Sequence, residues 1–379
     1  VNGGPLAGVR VIELAGLGAL PYGTLRLADM GAEVIRVERV SAVPAELVAR
    51  PHSPFDRGRR SIAVDLKSPD GVEVVLRLVE TADVLLEAFR PGVVERLGVG
   101  PDVALARNPK LVFGRLTGWG QDGPMAQTAG HSLNYEAVTG VLHAIGRPEV
   151  PPSTTLTLLG DFAGGGLSMA YGVVCALLEA QRTGRGQVID VAMVDGVASL
   201  ASVFYSMAAS GSWTAERGAN LFDGGAPFYA VYECADGRSL SIAPIEPHFY
   251  ALLVDGLGLA GEDLPDQYDR DRWPELRARL AEVVKTRTCD EWMAIFDGTD
   301  ACVAPVLDFT EATAHPQLVA RNLFVDGTEV APVPRLSETP GDPDTSAAWV
   351  GADTDAVLGE AGFSADEVAR LRGAGTVGG

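Results

Sequence analysis

Two side chains in this sequence are of a type and setting to move protons. His131 lies in a glycine-rich stretch at a helix start, where a side chain can project into a cleft. Its imidazole titrates near neutrality, about pH 6.5 when unperturbed; the same residue could equally be a cap or a satisfied structural histidine. Asp161 follows Gly160 and directly precedes an apolar helical run from Phe162 to Gln181. Aspartate is a favoured N-cap, so Asp161 reads as a cap or as an acid/base. A helix N-terminus would lower its pKa and burial would raise it.

Other residues suggest where an anionic ligand sits. Arg36, Arg39, Arg57, Arg59, Arg60, Lys67 and Arg90 fall at or near the ends of strand-like runs. Ligands of open α/β sheets bind at the carboxyl ends of strands, and arginines there can hold phosphates bidentately. A scattered, solvated set fits the spacing equally well. Gly16-Leu-Gly18 after a strand, with Glu38 about 20 residues on, invites a dinucleotide reading. Pro21 stands where the third glycine belongs, so a nicotinamide cofactor is disfavoured, and a tight strand-to-helix turn explains the glycines alone.

The elements that must position these groups alternate. Val9 to Leu14, Glu33 to Glu38, Ser61 to Asp65, Val84 to Ala88 and Leu111 to Leu116 read as strands, with helices over Tyr22 to Met30 and Gly71 to Glu80. This is βαβ patterning and implies a parallel sheet. After Thr117-Gly-Trp-Gly-Gln-Asp-Gly-Pro124 a helix is expected from Ser132, with Glu136 in its first turn, then a strand from Gln187 to Met193 and a helix from Asp195 to Ala209. Tyr229 to Glu233 and Ser239 to Ala243, joined by Asp236-Gly237, read as a hairpin. Asp353 is expected to cap one late helix, and Ser364 with Glu367 forms a capping box for the last.

The chain has 379 residues, which implies two or three domains at roughly 150 residues each. It is 47% hydrophobic, enough for a sizeable core, so wholesale disorder is excluded. A formal net charge of -20 argues against a general binder of nucleic acid or anionic membrane. No uninterrupted apolar run approaches the ~20 residues of a membrane span. Cys175, Cys234, Cys289 and Cys302 form no CxxC pair, which suits a reducing compartment, and no acid, histidine or cysteine spacing suggests a metal. With no leader pattern before the first strand, a cytoplasmic protein is expected.

Several stretches carry a family resemblance. Gly8-Val-Arg-Val-Ile-Glu-Leu14, Asp29-Met-Gly-Ala-Glu-Val34, Asp65-Leu-Lys67, Arg90-Pro-Gly92, Gly118-Trp-Gly-Gln121 and Gly160-Asp161 resemble the family III CoA-transferase superfamily. Within it, Ala129-Gly-His-Ser-Leu-Asn-Tyr135, Leu142-His-Ala-Ile-Gly146, Gly218-Ala-Asn-Leu-Phe-Asp-Gly-Gly-Ala-Pro227, Tyr232-Glu-Cys-Ala-Asp-Gly237 and Ala243-Pro-Ile-Glu-Pro247 resemble its branch of 2-methylacyl-CoA racemases. The similarity covers nearly the whole chain.

The resemblance implies a large Rossmann-like parallel-sheet domain over residues 1–190 and 312–379, linker helices over 191–224 and a smaller α+β domain over 225–311. It further implies an interlocked homodimer, with the active site between subunits. The expected reaction is racemisation of an acyl-CoA thioester by 1,1-proton transfer through an enolate, with no cofactor beyond the CoA of the substrate. His131 and Asp161 would be the two acid/bases, working on the (S) and (R) substrates, while Glu246 resembles the acid that fixes the histidine tautomer from the other subunit. Arg39, Arg57, Arg59, Val64, Asp65, Leu66, Lys67, Ala88, Phe89, Arg90, Pro91, Gly92, Arg96, Gly130, Ser132, Leu133, Asn134 and Tyr135 would surround the CoA and its thioester. Backbone N–H groups near Ser132 are candidates for holding the enolate oxygen; members of the family often carry Asp at that position. His143 reads as packing, and His52, His248 and His315 lack motif support as bases. The rival function is CoA transfer, with Asp161 attacking the thioester as a nucleophile to form a mixed anhydride.

Overall fold

The computed structural model describes residues 3–42, 55–325, 327, 329–342 and 346–379, so His52 lies outside the described residues. Six strands, β1 (Arg10–Leu14), β2 (Glu33–Glu38), β3 (Arg59–Val64), β4 (Val84–Glu87), β5 (Val112–Thr117) and β6 (Gln187–Ala192), run parallel in the order β3-β2-β1-β4-β5-β6. Val377–Gly378 adds an antiparallel strand to the outer edge of β3. Strand order reverses between β1 and β4, so the loops after these two strands part and leave a crevice at the carboxyl edge.

The strands are valine-, isoleucine- and leucine-rich because both faces of a parallel sheet are covered. Successive residues point to opposite faces. Ile12, Ile35, Ile62, Leu85 and Phe113 pack on α2 (Pro69–Val79) and on the helices Thr354–Glu360 and Ala365–Gly373. Val11, Val34, Val84, Leu86 and Val112 pack on α1 (Ala19–Asp29) through Leu20 and Leu27. Two short helices, α3 (Val93–Leu97) and α4 (Pro101–Arg107), lead into β5, and α5 (Ser132–Val138) precedes a long helical run.

That run begins as a π-helix, Leu158–Leu167, and continues as α6 (Ser168–Thr183); α7 (Met193–Leu200) follows β6. It is 26 residues long and apolar enough by itself to cross a membrane, a property hidden in the sequence by its glycines and polar residues. The glycine side of its π-helical half is nonetheless buried. Cβ atoms built at Gly166 and Gly196 would come 2.4 Å from Ala19 O and 2.0 Å from Gly164 O, so the backbones of α1 and α7 lie directly against it. Gly166→Ala should therefore lower stability by about 1–3 kcal/mol, although alanine is the better helix former. Gly359→Ala, in a helix with open space at the same atom, should raise stability by about 0.5–1 kcal/mol. Urea unfolding of both variants checks the opposite signs.

Residues 1–139, 155–200 and 323–379 form this large unit, and 140–154 and 201–322 form a smaller one. Against the expected boundaries, α7 belongs to the large unit, while 140–154, 201–224 and 312–322 belong to the small one. In the small unit α8 (Ser202–Ala209) precedes an antiparallel sheet of β7 (Ala230–Glu233), β8 (Ser239–Ile242) and β9 (Val303–Pro305). The helices α9 (Pro247–Gly256), α10 (Trp273–Val284) and α11 (Cys289–Phe296) cover it through Leu253, Leu276, Leu280, Trp292 and Phe296. The hairpin turns at Asp236-Gly237, where Gly237 has φ 82°.

Four local expectations change. The helix expected from Asp195 to Ala209 is two helices, broken at Ala201. Asp353 occupies its N-cap position without capping, because its carboxylate accepts the Ser61 N–H instead at 2.8 Å. Glu136 lies in the second turn of α5. Asp161 is no cap: the helical segment already begins at Leu158.

Candidate active site

His131 is the N-cap residue of α5, with extended backbone (φ −132°, ψ 170°), and is exposed. Its N–H donates to Asn134 Oδ1 at 3.0 Å and its carbonyl accepts the Asn134 N–H at 2.7 Å, which pins the residue that carries the imidazole. Asn134 is thereby a support for the histidine.

Asp161 sits in the first turn of the π-helix, half-buried. Burial raises its pKa most; His131 nearby pulls it down and Glu136 pushes it up, and the net direction is upward. The competition left open by the sequence is settled in favour of burial. The Gly160 N–H donates to Ser132 Oγ at 3.2 Å, so the residues next to Asp161 and His131 touch within the large unit.

Three elements frame Asp161. The loop after β1 approaches from one side: a Cβ at Gly18 would lie 3.3 Å from Asp161 Oδ2. The glycines there give the carboxylate room, which accounts for a fingerprint that stops short of the dinucleotide pattern. Tyr135, buried on α5, stands near on another side; burial and the Asp161 charge push its hydroxyl up to about 12. Its ring meets Trp119 edge-on at 4.8 Å and packs where Gly118 and Gly130 leave space. Ser132 closes the base of the site. It is 1% exposed; its Oγ donates to Glu136 Oε1 at 2.8 Å and accepts the Gly160 N–H at 3.2 Å. The Ser132 side chain is thus fully engaged inside the protein, while Leu133 is exposed.

The cations separate into two groups. The expectation that Arg57 and Arg59 bind substrate is corrected by their surroundings. Arg57, 3% exposed, pairs with Asp29 at 3.0 Å and Glu329 at 3.0 Å and donates to Val330 O. Arg59, 6% exposed, pairs with Glu13 at 3.0 Å and donates to Thr24 and Pro21 O. Both balance buried carboxylates. Arg36 and Arg60 are likewise paired with acids. Arg39, Lys67, Arg90 and Arg96, by contrast, are exposed and make no ion pair among the described residues.

These four free cations follow β2, β3 and β4, on the carboxyl edge of the sheet. Val64 is buried, and Asp65 turns the chain by accepting the Lys67 N–H at 3.0 Å, with Leu66 partly buried between them. Ala88 abuts the first glycine loop, a Cβ at Gly16 coming 3.3 Å from its Cβ. Phe89 donates its N–H to Glu87, Pro91 O accepts from Gln127, and Gly92 takes φ 82° to turn into α3. Ala88 to Gly92 therefore lines the crevice where strand order reverses.

Glu246 lies in the small unit, exposed, at the N-cap of α9 before Pro247. His143 Nε2 contacts Ala215 O at 2.9 Å and His315 caps its own helix, both structural roles. Among the described residues no three His, Cys, Asp or Glu side chains cluster to hold a metal. Sequence reasoning missed the Glu136–Thr155 contacts; the signal was an acidic residue on the buried face of α5.

The sequence pattern of CoA-transferase family III matches residues 6–354. The chain belongs to this family. Among members, it is 48% identical over 371 residues to the α-methylacyl-CoA racemase of Mus musculus, covering 97% of this chain and 96% of that one. It is 44% identical over 376 residues to the α-methylacyl-CoA racemase of Homo sapiens, with the same coverage. A solved CaiB/BaiF family protein from Brucella suis superposes with a TM-score of 0.81 at 26% identity, over 95% of this chain and all of the other. The parallel sheet with a separate smaller unit is therefore shared by family members.

Proposed function

We propose that the protein is a racemase of 2-methylacyl-CoA thioesters that acts by 1,1-proton transfer. The observation that carries the reading is the contact of the segments bearing His131 and Asp161, Gly160 N–H to Ser132 Oγ at 3.2 Å, in a chain so similar to α-methylacyl-CoA racemases. With the (S) ester, neutral His131 takes the α-proton and the electron pair moves to the thioester oxygen as an enolate. Protonated Asp161 then delivers its proton to the opposite face. The (R) ester reverses both roles. The Ser132 and Leu133 amides, at the start of α5, have no intrahelical partner and are the proposed donors to the enolate oxygen.

Burial raises the Asp161 pKa, the direction that suits a carboxyl which must both take and give a proton. Arg39, Lys67, Arg90 and Arg96 are the proposed contacts for the CoA phosphates. The proposed assembly is a homodimer in which Glu246 of one subunit orients His131 of the other. Four free cysteines support a reducing, cytoplasmic setting.

Incubation of single enantiomers of 2-methylacyl-CoA esters in deuterated water tests the reaction. Deuterium should enter the α-carbon with inversion and without a carboxylate acceptor. CoA exchange that requires a free acid, with an unlabelled α-carbon, would establish the family's transferase chemistry instead.

A further inference from the structure

Beyond the two acid/bases, the interior of α5 holds an acid that the proposed reaction does not use. Glu136 is 1% exposed and forms no ion pair among the described residues. The Thr155 hydroxyl donates to both its oxygens at 2.8 Å, and the Ser132 hydroxyl donates to Oε1 at 2.8 Å. Both neighbours are hydroxyls, which can satisfy a carboxyl group by hydrogen bonding. An isolated buried carboxylate is costly, and an apolar side chain would be the ordinary occupant of this face.

Its contacts reach both acid/bases. Ser132, which follows His131, accepts the N–H of Gly160, which precedes Asp161, at 3.2 Å. A Cβ at Gly160 would come 2.3 Å from Ser132 Oγ, so the two segments touch with nothing between them. Thr155 ties the start of the chain leading to Asp161 to the same carboxylate. We infer that Glu136 is a positioning residue: its carboxylate locks together the segments bearing His131 and Asp161, and sets an unbalanced negative charge behind Asp161. This rests on the racemisation proposed above.

The charge has a defined sense. The ionisable groups facing Asp161 from α5 are His131, Tyr135 and Glu136. The loop Gly16 to Gly18 brings none, α1 brings Tyr22 against Phe162, and Asp195 of α7 is exposed and acts on Asp190. Among the described residues, Glu136 is thus the acidic neighbour that pushes the Asp161 pKa up.

Glu136→Gln keeps an acceptor oxygen and deletes the charge. The Asp161 carboxyl, followed by carbon NMR against Asp161→Asn, should then titrate at lower pH than in the parent. For the (R) ester, which needs ionised Asp161, the acid limb of kcat/KM should move to lower pH by the same amount. Glu136→Asp keeps the charge with a shorter reach, so its titration should stay near that of the parent while kcat falls about tenfold at constant KM. An Asp161 titration unchanged in Glu136→Gln, or equal in the Gln and Asp variants, overturns the inference. A parent enzyme without α-proton exchange would instead remove the proposed function, and the NMR titration would still decide the role of Glu136.

Discussion

Racemisation should fall about 10²–10⁴-fold in His131→Ala and in Asp161→Asn, the range for loss of a general acid or base. Each variant lacks the group that serves one face of the α-carbon, so inversion fails in both directions. Exchange with solvent should become one-sided. His131→Ala retains a carboxylate able to remove and return the proton of the (R) ester, and Asp161→Asn retains an imidazole able to do so with the (S) ester. The double variant should lose this residual exchange without adding its single losses, since the two residues act as a unit. Binding of a CoA ester should change little, because Arg39, Lys67, Arg90 and Arg96 are untouched. Deuterium incorporation from each enantiomer, with chiral analysis of the recovered acid, reads all of these outcomes. Parent-level racemisation in either single variant would remove that residue from the chemistry.

Arg59→Ala should cost about 3–5 kcal/mol of stability, the usual effect of breaking a buried ion pair from one side. It leaves Glu13, which is 0% exposed, with only the Thr24 hydroxyl at 2.7 Å and the more distant Arg36 Nε at 3.9 Å. Against a total of about 5–15 kcal/mol for a folded domain, that loss is severe. Replacing both partners together with apolar residues should recover most of it, because the pair itself contributes little net energy. Urea unfolding measures the stability, and KM for the CoA ester adds a second readout. An unchanged KM in the surviving folded protein fits the internal role; a strongly raised KM would return Arg59 to the ligand site.

Much of the large unit was legible because its strands are buried on both faces and read as apolar runs between helices. β2, for example, spans Glu33–Glu38 as expected. What escaped the sequence depends on distant partners. Arg39 and Arg57 look alike in the linear chain, yet Arg57 is claimed by Asp29 and Glu329, one of them 272 residues away. The π-helical turn at Asp161 was hidden because the helix was expected only from Phe162, whereas it starts at Leu158 and its glycines admit the backbones of α1 and α7. Residues 140–154 join the small unit through contacts such as Arg217 with Arg147 O, which no local pattern encodes. The proton-transfer pair was visible by motif, while the Ser132–Glu136–Thr155 support became visible only in three dimensions.

The sheet face capped by Val357, Leu358, Val368 and Leu371 has a consequence for vectorial synthesis. Ile12, Ile35 and Ile62 leave the ribosome early, but their cover is encoded some 300 residues later, after the entire small unit. At roughly 5–20 residues per second, that interval is about 15–60 seconds. Throughout it a nascent chain displays the part of that sheet face which α2 leaves uncovered. Cells making this protein must shield that part, and expression yield should depend on chaperone supply more than the finished fold would suggest.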